Sequence, residues 1–181
     1  MKKIFLFLFL FLCLNLDSVM ADLAVTTRQY MSLLNQRWLL SQEIAAYQYY
    51  HALDPPEILT PALEPLVHYG QQVGLTEYHA RLLIQLIHRI DQRLEQRWLS
   101  EWQQHGFNFD NGHFMNAPSL CLKQEALERQ LLKKQAEIQS MHQPAWLTSD
   151  RISEGLLVPK FSAADQKDLL KTLRMMESKG V

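Results

Sequence analysis

The sequence predicts an all-α fold of about five to six helices behind an N-terminal signal peptide. Apolar residues recur every three or four positions along several long stretches, which is the spacing of one helix face. No stretch alternates apolar and polar residues as a half-buried strand does. Thr, Ser, Pro and Gly stand between the periodic stretches, where helices begin and end.

The first ~21 residues have the pattern of a cleavable secretory signal peptide. Two lysines at positions 2 and 3 precede an apolar Phe/Leu run over 4–14, and Val19-Met20-Ala21 offers small residues for a signal peptidase. Asn15 and Asp17 interrupt the run well short of the about 20 apolar residues that cross a bilayer. We therefore expect cleavage after Ala21, no membrane anchor, and a periplasmic or secreted protein.

The remaining chain, 22–181, has the length of a single domain. Losing residues 1–21 removes two lysines and one aspartate, so the net charge moves from −1 to −2. Such a balance argues against a phosphate-binding surface, and nucleic acid is not an expected partner. Cys121 is then the single cysteine, so no internal disulfide can form and packing must stabilise the fold.

Five helices are predicted in the mature chain. Pro55-Pro56 ends the first, because proline lacks the N–H that a helix needs. Thr60-Pro61 is the predicted N-cap and first residue of the second, and Thr76 caps the third. A loop rich in Asn and Gly follows over 105–118, and Ser162 with Asp165 forms a capping box for the last helix. The predicted ranges are 25–51, 61 to about 70–74, 76–102, 119–141 and from 162 onward.

The polar residues show none of the common catalytic or metal-binding motifs. The seven histidines include no pair at metal-ligand spacing with acidic support, so structural roles are expected and no metal. The sequence has no Gly-rich phosphate loop and no nucleophile elbow, and Cys121 lacks a catalytic context. No cofactor is predicted.

Four polar residues nevertheless share faces with the predicted core. Arg37 and Gln48 are eleven positions apart, about three helical turns, so both lie on one face of the first helix. Asp91 and Glu95 are one turn apart on the third helix, beside its apolar stripe. The ordinary alternative places both carboxylates at the edge of the stripe, solvated or paired with the nearby arginines Arg89, Arg93 and Arg97.

At these residues the chain resembles the secreted, all-helical (type II) chorismate mutases. The first helix of that family carries an Arg and, eleven positions later, a Lys after a Val/Ile-Ala-x-Tyr/Phe motif. This chain has Arg37, Ile44-Ala45-Ala46-Tyr47 and Gln48. Gly74-Leu75, Glu95 and Trp102 then keep the family's spacing to the end of the third helix. The resemblance extends over residues 31–102, and it predicts a chorismate mutase-like domain at 22–104 with a helical extension at 105–181 packed on it.

The resemblance implies the rearrangement of chorismate to prephenate, which needs no cofactor. It implies that Arg37 binds a substrate carboxylate and that a protonated Glu95 faces the ether oxygen. Three positions depart from the family pattern: Gln48 replaces Lys, Leu63 replaces Arg, and Asp91 replaces a neutral residue. The fourth helix offers Arg129 as a substrate-binding cation.

Further candidate cations are Lys123, Arg81 and Arg89.

Two functions remain open at this point. The first is an exported chorismate mutase, active or weakly active. The second is a non-catalytic protein of the same fold, with a remodelled pocket that serves binding or an effector role. A third, less specific hypothesis is an unrelated helical interaction protein that shares only the helix spacing. The sequence leaves the oligomeric state open, with a homodimer as one candidate.

Overall fold

The computed structural model describes residues 2–51, 60–106, 116–141, 152 and 154–178, with side chains from residue 21 onward. Every regular element in these ranges is helical, which confirms the all-α prediction. The helices are α1 (Lys2–His51), α2 (Leu63–Gln72), α3 (Glu77–His105), α4 (Ala117–Ser140) and α5 (Ala163–Ser178).

Helix α1 includes the predicted signal peptide and ends at His51, as its periodicity predicts. Leu40 and Ile44 are buried, in keeping with the apolar face read from the sequence. Pro55-Pro56, the predicted stop, lies outside the described residues. Among the residues whose side chains the structure describes, no helix is both long and apolar enough to cross a membrane. Cleavage after Ala21 stays a prediction.

The predicted start of α2 at Thr60-Pro61 is wrong. The helix begins at Leu63, and its N-cap, Ala62, makes no side-chain capping hydrogen bond. Pro65 explains the difference, because proline is accepted in the first turn but deeper in a helix it removes a hydrogen bond and clashes with the carbonyl four residues back. A helix from Pro61 would put Pro65 in its second turn, whereas a start at Leu63 keeps it in the first.

The caps of the later helices largely follow the sequence. Thr76 Oγ1 accepts a hydrogen bond from the His79 amide at 3.1 Å, as predicted. The last helix begins with the predicted capping box, in which the Ser162 amide donates to Asp165 and the Asp165 amide donates to Ser162 Oγ. Helix α4 starts two residues earlier than predicted because Asn116 caps it, and Pro118 is accommodated in its first turn.

Helix α3 lies at the centre of the packing. It contacts α1, α2, α4 and α5, while α1 and α2 also pack on α4. Gly70 lets α2 approach α3 closely, since a Cβ at this position would lie 2.5 Å from Ala80 Cβ. Asp165 fastens α5 to α3 through Arg93 at 3.0 Å and Arg97 at 2.5 Å. This arrangement brings the inward faces of α1, α3 and α4 together.

Candidate functional site

A buried group of polar side chains lies where α1, α3 and α4 meet, and we call it the central polar cluster. All its members except His88 are less than a tenth exposed. Such burial of charged groups is rare unless they are paired. The members are Arg37, Ser41 and Gln48 from α1, His88, Asp91 and Glu95 from α3, and Glu128 from α4.

Arg37 is bound by two carboxylates. Its Nη2 lies 2.5 Å from Asp91 Oδ2 and 2.8 Å from Glu128 Oε1, and its Nε donates to the same Glu128 oxygen at 2.9 Å. The side chains of Arg37 and Glu128 are 1% and 0% exposed. Because these interactions are charge-assisted and shielded from water, they hold the guanidinium firmly in place.

Two further hydrogen bonds extend the cluster along α1 and α3. Ser41 Oγ donates to Asp91 Oδ1 at 2.8 Å, which fixes the carboxylate that binds Arg37. Two turns further along α1, Gln48 Nε2 donates to Glu95 Oε2 at 3.4 Å. The cluster therefore has a charged part around Arg37 and a weaker, amide–carboxyl part around Glu95.

Arg37 and Glu128 are both held in their charged forms. Burial works to lower the pKa of Arg37, but the negative charges of Asp91 and Glu128 outweigh it and raise that pKa above its ordinary value. Burial works to raise the pKa of Glu128, but the charge of Arg37 and the hydrogen bond with His88 outweigh it. The pKa of Glu128 therefore lies below its ordinary value. The two groups form an ion pair at neutral pH.

The α3 carboxyls hold their protons more tightly. Burial raises the pKa of Asp91 to about 6 although Arg37 opposes the change, and the charge of Glu128 adds to the rise. Burial raises the pKa of Glu95 to about 8, with a further contribution from the charge of Asp91. At neutral pH, Asp91 is mostly ionised and Glu95 mostly protonated.

The cluster consequently has an excess of negative charge. Arg37 supplies one positive charge, while Asp91 and Glu128 supply two negative charges at neutral pH. A proton on His88, whose Nε2 lies 3.2 Å from Glu128 Oε1, would be needed to balance the sum. A site with this balance repels a dianion rather than attracting it.

Four of the predicted site residues come together here: Arg37, Gln48, Asp91 and Glu95. The alternative that placed Asp91 and Glu95 at a solvated edge of α3 is wrong, because they are 3% and 6% exposed. Their burial follows from the close packing of α1 and α4 on α3. The arginines offered as their partners lie elsewhere: Arg93 and Arg97 bind Asp165, and Arg89 is exposed on α3.

Arg129, the fourth-helix candidate, lies beside the cluster in sequence but binds other groups. Its Nη2 lies 2.7 Å from Glu125 Oε1, and its guanidinium lies 4.7 Å from the centre of the Tyr69 ring on α2. The residue before it, Glu128, provides the α4 carboxylate that binds Arg37. The group of α4 that faces the cluster is thus a carboxylate, and not the cation that the resemblance suggests for this helix.

Of the remaining candidates, Arg89 is exposed and the other two bind surface carboxylates. Arg81 binds Glu64 and Glu77 at the surface, and Lys123 lies 3.5 Å from Glu43 in an exposed pair. Leu63, at the position where the family carries Arg, packs against the apolar core.

Sequence reasoning missed Glu128, Ser41 and His88. A signal for Glu128 existed, because the buried positions Gln124, Leu131 and Gln135 lie four, three and seven residues from it on α4. A helix whose inward face carries polar residues at this spacing marks a buried polar site rather than an ordinary core stripe. Ser41 and His88 had no comparable signal, since both residue types are common on surfaces.

With this geometry established, the fold can be compared with those of known proteins. It is similar to that of the secreted chorismate mutase from Yersinia pestis, with a TM-score of 0.69 over 80% of this chain and 94% of that chain. The two sequences are 14% identical over the match. No protein-family model and no curated protein matches the sequence.

The chain therefore has the fold of a secreted chorismate mutase, as the resemblance predicted. At this identity the likeness defines the fold alone. The activity depends on the side chains of the central polar cluster.

Proposed function

We propose that this chain is an exported small-molecule-binding protein with the chorismate mutase fold, and that its site does not accelerate the rearrangement of chorismate. The observation that carries this proposal is that the Arg37 guanidinium forms ion pairs with both Asp91 and Glu128. The Nε and Nη2 atoms of Arg37 are already bound by two buried carboxylates, so a substrate carboxylate would have to compete with them for these donors. The negative charges of Asp91 and Glu128 would also oppose the approach of a dianion.

The energetics of the rearrangement point to the same function. In the transition state of the rearrangement, negative charge builds up on the ether oxygen of a substrate that is already a dianion. Catalysis therefore depends on cations placed around the substrate. Gln48 and Leu63 supply no charge, and Glu128 and Asp91 add negative charge to the cluster. A cation beside the transition state stabilises it by roughly 3 kcal/mol, so the absence of two such cations alone reduces the rate about 10⁴-fold.

A second candidate function is an exported chorismate mutase, and one observation favours it. Glu95, with a pKa raised to about 8 by burial, is protonated at neutral pH and lies 3.4 Å from the Gln48 amide. A protonated carboxyl and an amide are both hydrogen-bond donors, and the resemblance implies two donors facing the ether oxygen. Under this alternative, activity would fall as the pH rises through about 8.

A kinetic experiment separates the two candidates. The full chain is expressed with its N-terminus intact, the exported protein is purified, and chorismate loss is followed at pH 6, 7 and 9. We expect no turnover above the spontaneous rate, and the same result for Glu95→Ala. Turnover that Arg37→Ala or Glu95→Ala abolishes, but that the exposed control Lys171→Ala on α5 leaves intact, would establish the mutase instead.

Export is tested on the same preparation. N-terminal sequencing of the protein recovered from the periplasm or medium should begin at Asp22, the residue after the predicted cleavage site. Recovery of the chain only in the cytoplasm, with Met1 retained, would remove export from the proposal.

A further inference from the structure

We infer that the central polar cluster binds a small organic cation carrying a primary ammonium group. This inference rests on the proposed function and deepens it, because it names the class of ligand. It draws on two independent features of the cluster: its charge balance and its unpartnered acceptor atoms.

The charge balance favours a cation. Asp91 and Glu128 both bind the same Arg37 nitrogen, Nη2, so one positive charge is shared between two carboxylates. The side chains of Asp91 and Glu128 are 5% and 0% exposed, so water does little to screen the remaining negative charge. A buried charge without compensation is costly, and a bound monocation would remove that cost.

The unpartnered atoms show which hydrogen bonds a ligand would make. Glu128 Oε2 and Gln48 Oε1 are buried and have no hydrogen-bond partner among the described residues. Both are acceptors, and both belong to side chains whose other polar atom is held in the cluster. Buried acceptors are normally satisfied, so each of these atoms calls for a donor. An ammonium group offers three N–H donors and one positive charge.

Other ligand classes fit these atoms less well. An anion would face the negative charges of Asp91 and Glu128 and would compete with them for Nε and Nη2 of Arg37. A hard divalent cation takes six or more oxygen ligands, whereas the two unpartnered acceptors are a single carboxylate oxygen and one amide oxygen. A group with a few donors and a single charge therefore matches the cluster best.

The test uses three probes with the same ring and different charge: cyclohexylammonium, cyclohexanol and cyclohexanecarboxylate. Their binding to the purified exported protein is measured by titration calorimetry at pH 7.5. We expect cyclohexylammonium to bind at least about tenfold more tightly than either of the others. Glu128→Gln should weaken its binding by about tenfold or more, because it removes the excess charge and one acceptor oxygen. Glu125→Gln, on the outer side of the same helix, is the matched control and should leave binding unchanged.

Gln48→Leu provides a second variant should Glu128→Gln fail to fold, as judged by circular dichroism. It removes the other unpartnered acceptor and should also weaken cyclohexylammonium binding. Absence of cyclohexylammonium binding, equal binding of the carboxylate, or retention of full affinity in the folded variants would overturn the inference. The proposed function fails separately, through chorismate turnover: turnover together with ammonium binding would refute the proposed function and leave the ligand class standing.

Discussion

Replacing Glu95 with Gln should change how the stability of the protein depends on pH. Burial raises the pKa of Glu95 to about 8, whereas an unfolded chain gives Glu its ordinary value of about 4.5. The folded state therefore holds the Glu95 proton more tightly than the unfolded state does. This contribution to stability is fully present below pH 4.5 and is lost as the pH rises through about 8. Gln has nearly the same shape, keeps a hydrogen bond to Gln48 within reach, and does not titrate.

The expected size follows from the two pKa values. The free energy of unfolding of the parent protein, relative to Glu95→Gln, should fall by about 3 kcal/mol between about pH 5.5 and 8.5. Urea unfolding of both proteins, followed by tryptophan fluorescence across this range, measures the difference. Subtracting the two profiles cancels the contribution of every group that titrates alike in both proteins.

A constant difference between the two profiles across this range would refute the reasoning, since it would mean that Glu95 ionises in the folded state as it does in the unfolded state. A difference that grows in favour of the parent as the pH rises would refute it more strongly, because it would reverse the sign. Glu125→Gln serves as the matched control: this Glu is 38% exposed in its pair with Arg129, and its variant should run parallel to the parent.

Three further changes test other parts of the structure by urea unfolding. Arg37→Met leaves two buried carboxylates without their cation and should lower the free energy of unfolding by about 3 to 5 kcal/mol at pH 7.5. The loss should be smaller at pH 5, where Asp91 takes up a proton. The control Arg129→Met should lower it by under about 1 kcal/mol. Asp165→Asn weakens the capping box and two ion pairs and should cost about 2 kcal/mol, and an unchanged unfolding midpoint would contradict the role given to this carboxylate. Gly70→Ala should cost about 1 to 3 kcal/mol, because its Cβ would lie 2.5 Å from that of Ala80, and equal or greater stability would show that α2 can move away from α3.

Local signals were enough to predict most of the helices. The Thr76 cap and the capping box at Ser162 and Asp165 depend on residues three positions apart, so the sequence contains the whole interaction. The start of α2 was misplaced because Thr60-Pro61 is a favourable local signal, while Pro65, slightly further along, rules out a helix beginning there. When two such signals compete, the helix begins at the residue that preserves its backbone hydrogen bonds.

The cluster was harder to predict because its members are distant in sequence. Periodicity selected Arg37, Gln48, Asp91 and Glu95 as polar residues near apolar faces, and all four are buried together. Glu128 lies 91 positions from Arg37, and a glutamate next to Leu127 on a helix ordinarily faces solvent. Its partner is set by the packing of α4 on α1, which no local pattern in α4 specifies.

If the proposed function is correct, the pairing of Arg37 explains how the chorismate mutase fold is compatible with a different chemistry at the site. A guanidinium that is 1% exposed must have a partner in the folded protein, whether or not a ligand is bound. Asp91 and Glu128 are permanent partners, so they allow Arg37 to stay buried in the ligand-free protein. The same interactions occupy Nε and Nη2 of Arg37. Under the proposed function, the groups that make the buried arginine compatible with folding therefore also oppose the binding of a dianion, so a stable core and a productive mutase site make conflicting demands on the same three side chains.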